Sequence, residues 1–119
     1  MQSWRTYMNK NKTVNLFVSN LTNVIVHKVL ERAIDKPEIV SVYVKEAKNS
    51  LEIAKKYREK INPLDKALPT ESSKGIKDSL ITKVTSELNA RIRRGYTNID
   101  LSLVEIFVDD YLRELGVTK

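Results

Sequence analysis

Between Val14 and Ile34 apolar residues recur at 14, 17, 18, 21, 24, 25, 29, 30, 33 and 34. Steps of three and four gather side chains on one broad helical face, so this spacing predicts an α-helix over about 13–34. The run Val24-Ile25-Val26 makes the middle of that helix apolar on more than one side. Such a helix belongs at the centre of a bundle, covered by several neighbours. The β-branched run lowers helix propensity, which keeps a strand as the competing reading of this short stretch.

Asp35-Lys36-Pro37-Glu38 reads as a stop and restart. Proline fits the first turn of a helix and breaks its interior, and acidic residues favour that first turn. A second helix over 37–61 follows from the stripe Val40, Tyr43, Val44, Ala47, Leu51, Ala54, Tyr57 and Ile61. The short join predicts that the two helices run antiparallel as a hairpin.

Residues 62–75 hold two of the three prolines and a cluster of turn formers, and are expected to be one long loop. Leu64, Ala67 and Leu68 are expected to pack a short turn on the bundle, and Thr70 to Gly75 to form a mobile tip. Ile76, Leu80, Ile81, Val84, Leu88 and Ile92 predict a third helix over 73–94, with Gly95 as its left-handed cap. The fourth, over 102–115, has Ser102 and Glu105 at capping-box spacing, Leu101 and Ile106 at staple positions, and Gly116 at its end. Residues 96–101 between them have the character of a short extended segment. The predicted fold is therefore an all-α four-helix bundle, a single helical domain over 1–119 with an N-terminal arm at 1–12.

A chain of 119 residues supports one hydrophobic core, and 41% hydrophobic with 30% charged residues is a globular balance. The absence of cysteine excludes disulfides, thiolate metal sites and thiol catalysis, and makes an intracellular, cytoplasmic home the expectation. No segment approaches the ~20 apolar residues that a membrane-spanning helix requires. The net charge is +6, and residues 1–60 hold twelve Lys/Arg against six Asp/Glu, whereas residues 61–119 hold nine of each. A basic surface favours a phosphate-bearing partner.

Two basic regions are the candidate nucleic-acid contacts. In Arg91-Ile92-Arg93-Arg94-Gly95-Tyr96, three guanidiniums and a tyrosine gather at a helix end. Arginine grips phosphates bidentately and a tyrosine ring stacks on bases, a combination used for single strands. The structural alternative is that cations near a helix C-terminus offset the macrodipole while Tyr96 packs. The second region is Lys55, Lys56 and Arg58, with Lys45, Lys48 and Lys60 on the same helix and Lys28, Arg32 and Lys36 near the end of the first. Its alternative is a solvated face laced by same-helix ion pairs such as Glu52 with Lys56.

Other residue types give no chemistry. Asp109-Asp110 with Glu105 and Glu114 have carboxylate spacings of four, yet flank an apolar stripe as its wet edge, and no metal or other cofactor is expected. His27, the single histidine, sits amid aliphatics and is expected to be a packed or boundary residue. No nucleophile elbow, zinc-binding histidine pair, phosphate-binding glycine loop or dinucleotide fingerprint is present, so no catalytic residue is assigned and enzymatic activity is not expected. Trp4 and Tyr7 fit either a flap over the core or an exposed aromatic arm. Leu103 and Ile106 lie off the fourth helix's main stripe, as apolar residues at a subunit contact do.

Gly95-Tyr96-Thr97-Asn98-Ile99-Asp100-Leu101 followed by an apolar helix resembles the end of a histone fold or of an ATP-cone domain, both of which join helices through a short extended segment. The N-terminal half lacks the short helix, strand and spacing of the first and the basic glycine turn of the second, so no residue is carried over. In size, helicity and charge the chain is also similar to the small helical subunits of CRISPR effector complexes, without a shared motif. Two functions are expected on these grounds. The first is a non-catalytic nucleic-acid-binding or ribonucleoprotein accessory protein. Its rival is an interaction module, as a homo-oligomer or with a protein partner, that assembles through apolar faces and has no nucleic-acid role. Their discriminant is whether the two basic regions adjoin.

Overall fold

The computed structural model describes residues 3–63 and 66–119, with side chains from residue 11 onward except at 64 and 65. Four helices follow one another: α1 (Ser3–Ala33), α2 (Pro37–Ile61), α3 (Thr70–Arg93) and α4 (Leu103–Glu114). Among the described residues there is no strand, so the chain is an all-α four-helix bundle. It is elongated, 53 × 25 × 23 Å.

α1 is the axis of the fold, and each of the other three helices packs against it. Val24, Ile25 and Val26 are all buried, as their apolar girth demanded. Around them Phe17, Leu21, Val29 and Leu30 of α1 meet Leu80, Val84 and Leu88 of α3 and Val104, Val108 and Leu112 of α4 in one core. α2 lies antiparallel along α1 through the small buried residues Ala47 and Ala54, which let two backbones approach closely. Its backbone packs on α1 alone; α3 and α4 pack on α1 and on each other.

The hairpin join is as expected: Lys36 is extended, Pro37 opens α2, and the Ile39 and Val40 N–H groups donate to the Lys36 carbonyl at 3.0 Å. Three expected boundaries move. α1 begins at Ser3, so the stretch taken for an arm is helical, although Trp4 and Tyr7 side chains lie outside the described residues. Trp4, Tyr7 and Met8 stand at i, i+3, i+4 spacing, but residues 9–13 are all polar and break the stripe before Val14; residues 3–12 extend a helix already nucleated by the packed segment beyond it.

α3 begins at Thr70, so the expected mobile tip forms the helix's opening turns. Pro69 sets the extended entry, the Ser73 N–H donates to the Pro69 carbonyl at 3.0 Å, and Glu71 meets the positive end of the dipole. Of the residues expected to pack a turn before it, Leu68 rests on the core, Ala67 is half-buried, and Leu64 lies outside the described residues.

At α4, the capping box is replaced by a cap two residues earlier. Ser102 has helical dihedrals and caps nothing with its side chain; its own N–H and hydroxyl donate to the Asp100 carboxylate. These bonds hold the Asp100 carboxyl below its ordinary value. Leu101 and Ile106 stay 39% and 54% exposed, so they form no staple, whereas Ile99 and Val104 join the core. Gly95 and Gly116 have the positive φ their helix ends require, +102° and +72°.

Candidate nucleic-acid interface

The seven predicted contacts divide into three groups. Arg58 is removed from the surface altogether, at 0% exposure. Its Nε donates to the Leu115 carbonyl at 2.9 Å, one terminal nitrogen to the Asn62 carbonyl and side-chain oxygen, and the other to the Lys66 and Gly116 carbonyls at 2.9 Å each. A guanidinium has five N–H donors, so this one is fully committed. Burial pulls its pKa below the ordinary value, but an arginine still carries its charge. The counter-charge comes from backbone: the carbonyls ending α2 and α4 bear the negative ends of two helix dipoles. As a phosphate contact Arg58 is therefore corrected to a clasp between helix ends.

Arg91 and Tyr96 form the second group, and they meet α2. The Arg91 guanidinium lies 5.6 Å from the centre of the Tyr96 ring, and its Nε is buried with no hydrogen-bond partner. Tyr96 lies beside Tyr43 and interacts with its hydroxyl. Burial, and then the neighbouring Tyr96, hold the Tyr43 hydroxyl above its ordinary pKa. On the other side of Tyr43 lies His27, with ring centres 5.4 Å apart. His27 Nε2 stands 2.8 Å from the Glu46 carboxylate and its Nδ1 2.7 Å from the Asn23 carbonyl. A chain of the exposed Glu46 and the half-buried His27, Tyr43, Tyr96 and Arg91 thus joins α1, α2 and the end of α3, and part of the surface that Tyr96 would offer a base is spent on it.

Arg93, Arg94, Lys55 and Lys56 make up the third group, exposed and without an ion partner among the described residues. They do not adjoin. The arginines follow α3 to the level of Tyr43, and Lys55 lies twelve residues further along α2, about 18 Å at 1.5 Å per residue. Lys55 also shares a groove of about 240 Å³ with Glu59 and Glu114. The expected Glu52–Lys56 pair is not made, and the ion pairs that do form lie elsewhere. Lys77 of α3 reaches Glu105 at 3.3 Å and Asp109 at 3.0 Å on α4, which ties the acidic edge to a cation and holds the lysine above its ordinary pKa. Arg113 meets Asp110 at 3.4 Å. Among the described residues no three His, Cys, Asp or Glu side chains converge as metal ligands.

Sequence reasoning missed the junction of His27, Tyr43 and Glu46, though a signal was present. In an antiparallel hairpin, residues equidistant from the join face one another, and His27 and Tyr43 are each eight residues from Asp35. It also missed the aliphatic residues that α2 leaves in solvent: Ile39, Val42, Val44 and Ile53 are 36%, 52%, 44% and 42% exposed. Among the described residues no helix is long and apolar enough to cross a membrane. No protein-family model, curated protein or solved structure matches the chain.

Proposed function

We propose that the protein is a non-catalytic assembly subunit, a helical interaction module that packs α2 against another protein surface. One observation carries this reading: apart from side-chain contacts at Tyr43 and Arg58, α2 packs on α1 alone, and it leaves Ile39, Val42, Val44 and Ile53 exposed along its length. Single exposed aliphatics are ordinary, but several on one helix are a feature of interaction surfaces. The separation of Arg93 and Arg94 from Lys55 and Lys56 along α2 weighs the same way. Sedimentation velocity tests the proposal. The expected result is a mass that rises above the 13.7 kDa monomer with concentration, and a loss of that rise in Val42→Glu/Ile53→Glu. A monomer throughout the micromolar range removes the reading.

The exposed, unpaired Arg93 and Arg94 favour a second, smaller role, a phosphate contact at the end of α3. Binding to duplex DNA then weakens with salt at a log–log slope of about −2, because each neutralised phosphate contributes roughly −0.9. A slope near −6 in fluorescence anisotropy titrations restores the wider interface, and no binding at low salt ends the nucleic-acid role.

A further inference from the structure

Along α2, Ile39, Val42, Glu46, Asn49, Ile53 and Lys56 follow at alternating steps of three and four, the spacing of a coiled-coil seam. All six are exposed. The seam lies on one flank of α2, turned away from Ala47, Ala54 and Ile61, which are buried. From these placements we propose that the partner of this face is a second copy of the chain, with the two α2 helices packed antiparallel about a twofold axis. This rests on the assembly reading above and gives it an occupant and a geometry.

Charge decides both the partner and the direction. A parallel pair sets Glu46 against Glu46 and Lys56 against Lys56, two like-charged layers in one seam. Antiparallel pairing removes both. It brings Val42 opposite Ile53 of the second copy and Glu46, one carboxylate oxygen of which meets His27 of its own chain at 2.8 Å, opposite Asn49, whose amide donates to the other oxygen. The outer flank then places Lys45 beside Glu52 of the second copy, and the twofold repeats each contact. Lys45 and Glu52 are exposed and unpaired within the monomer among the described residues, so both charges are free for this use. Ile39 lies along the aliphatic stem of the second copy's Lys56. One like-charged meeting remains, Glu38 with Glu59 of the second copy, at the rim beside Lys60. The antiparallel direction also aligns the two helix dipoles favourably.

The test uses charge reversal and cross-linking. Lys45→Glu and Glu52→Lys each create two repulsive contacts per dimer and are expected to weaken self-association about tenfold; together they restore it. Both sites are exposed, so thermal melts of the monomer should be unchanged. The chain has no cysteine, which makes Val42→Cys and Ile53→Cys clean probes. Mixed and mildly oxidised, the two variants should yield a disulfide-linked heterodimer. Either alone should not, because its cysteines lie about 16 Å apart, beyond the ~7 Å that a disulfide bridges. Self-association that persists without charge rescue or cross-linking overturns the antiparallel α2 pair and leaves the assembly reading in place. A monomer at every concentration overturns both.

Discussion

Removing the guanidinium of Arg58 leaves acceptors on Leu115, Gly116, Asn62 and Lys66 without their donor, inside the fold. Truncation at a buried charged partner costs more than a surface substitution, so Arg58→Ala is expected to lose about 3–5 kcal/mol in urea denaturation. Arg58→Lys should recover little of it, because an ammonium has three donors and no planar fork. Equal midpoints for wild type and Arg58→Ala would show that the clasp adds nothing. By residue type alone Arg58 resembles Lys55 and Lys56, its near neighbours in a basic helix. Its helical position points it at the core side, beside Ala54 and Ile61, and that position was legible. What was not legible is the set of acceptors, since two of them lie 57 and 58 residues away in the chain.

At the scale of the elements, periodicity located all four helices, and local chemistry misplaced several of their ends. The Thr-Glu-Ser-Ser-Lys-Gly stretch reads as loop because each residue favours turns. Pro69 before it and the packing of Ile76 and Leu80 after it pull the whole stretch into α3. Gly75 therefore sits in a helix, with nothing within 4 Å of where a Cβ would stand. Gly75→Ala is expected to stabilise the protein by about 0.5–1 kcal/mol. Gly95, at φ +102° with equally open surroundings, gives the opposite sign: Gly95→Ala should cost about 1–2 kcal/mol, the strain of a left-handed residue with a Cβ. Thermal melts of the two variants separate backbone conformation from space, since neither meets a clash. The cap of α4 teaches the same lesson. Ser102 and Glu105 have the right spacing, but Lys77 takes Glu105 and Asp100 supplies the acceptor.

For the whole molecule, the sequence foretold a central α1 and left the arrangement of its neighbours open. Short links suggest consecutive helices side by side, yet the backbones of α2 and α3, joined in sequence, both pack on α1 and not on each other, and meet only through side chains at the end of α3. That arrangement leaves one side of α2 bare, and it sets Arg91–Arg94 and Lys55–Lys56 apart. No pattern within a single helix reveals this, because it depends on which faces of α1 remain after α2 has docked. Lys77 braces the α3–α4 side. Its ordinary pKa is 10.5 and its folded value is higher, so its contribution to stability is fully present below 10.5 and is lost as pH rises through the folded value. The stability gap between wild type and Lys77→Met should accordingly hold from neutral pH to about 10 and close above it, in urea titrations across that range.

The clasp also sets a timetable for synthesis. Arg58 leaves the ribosome well ahead of Leu115, its acceptor 57 residues later. At roughly 5–20 residues per second, that interval lasts about 3–12 s. During it the hairpin of α1 and α2 can pair through contacts already made, while the Arg58 guanidinium has only its nearby acceptors on Asn62 and Lys66. The emergence of Leu115 and Gly116 is what closes the clasp, so a nascent chain stalled before them would be helical, paired and unlatched.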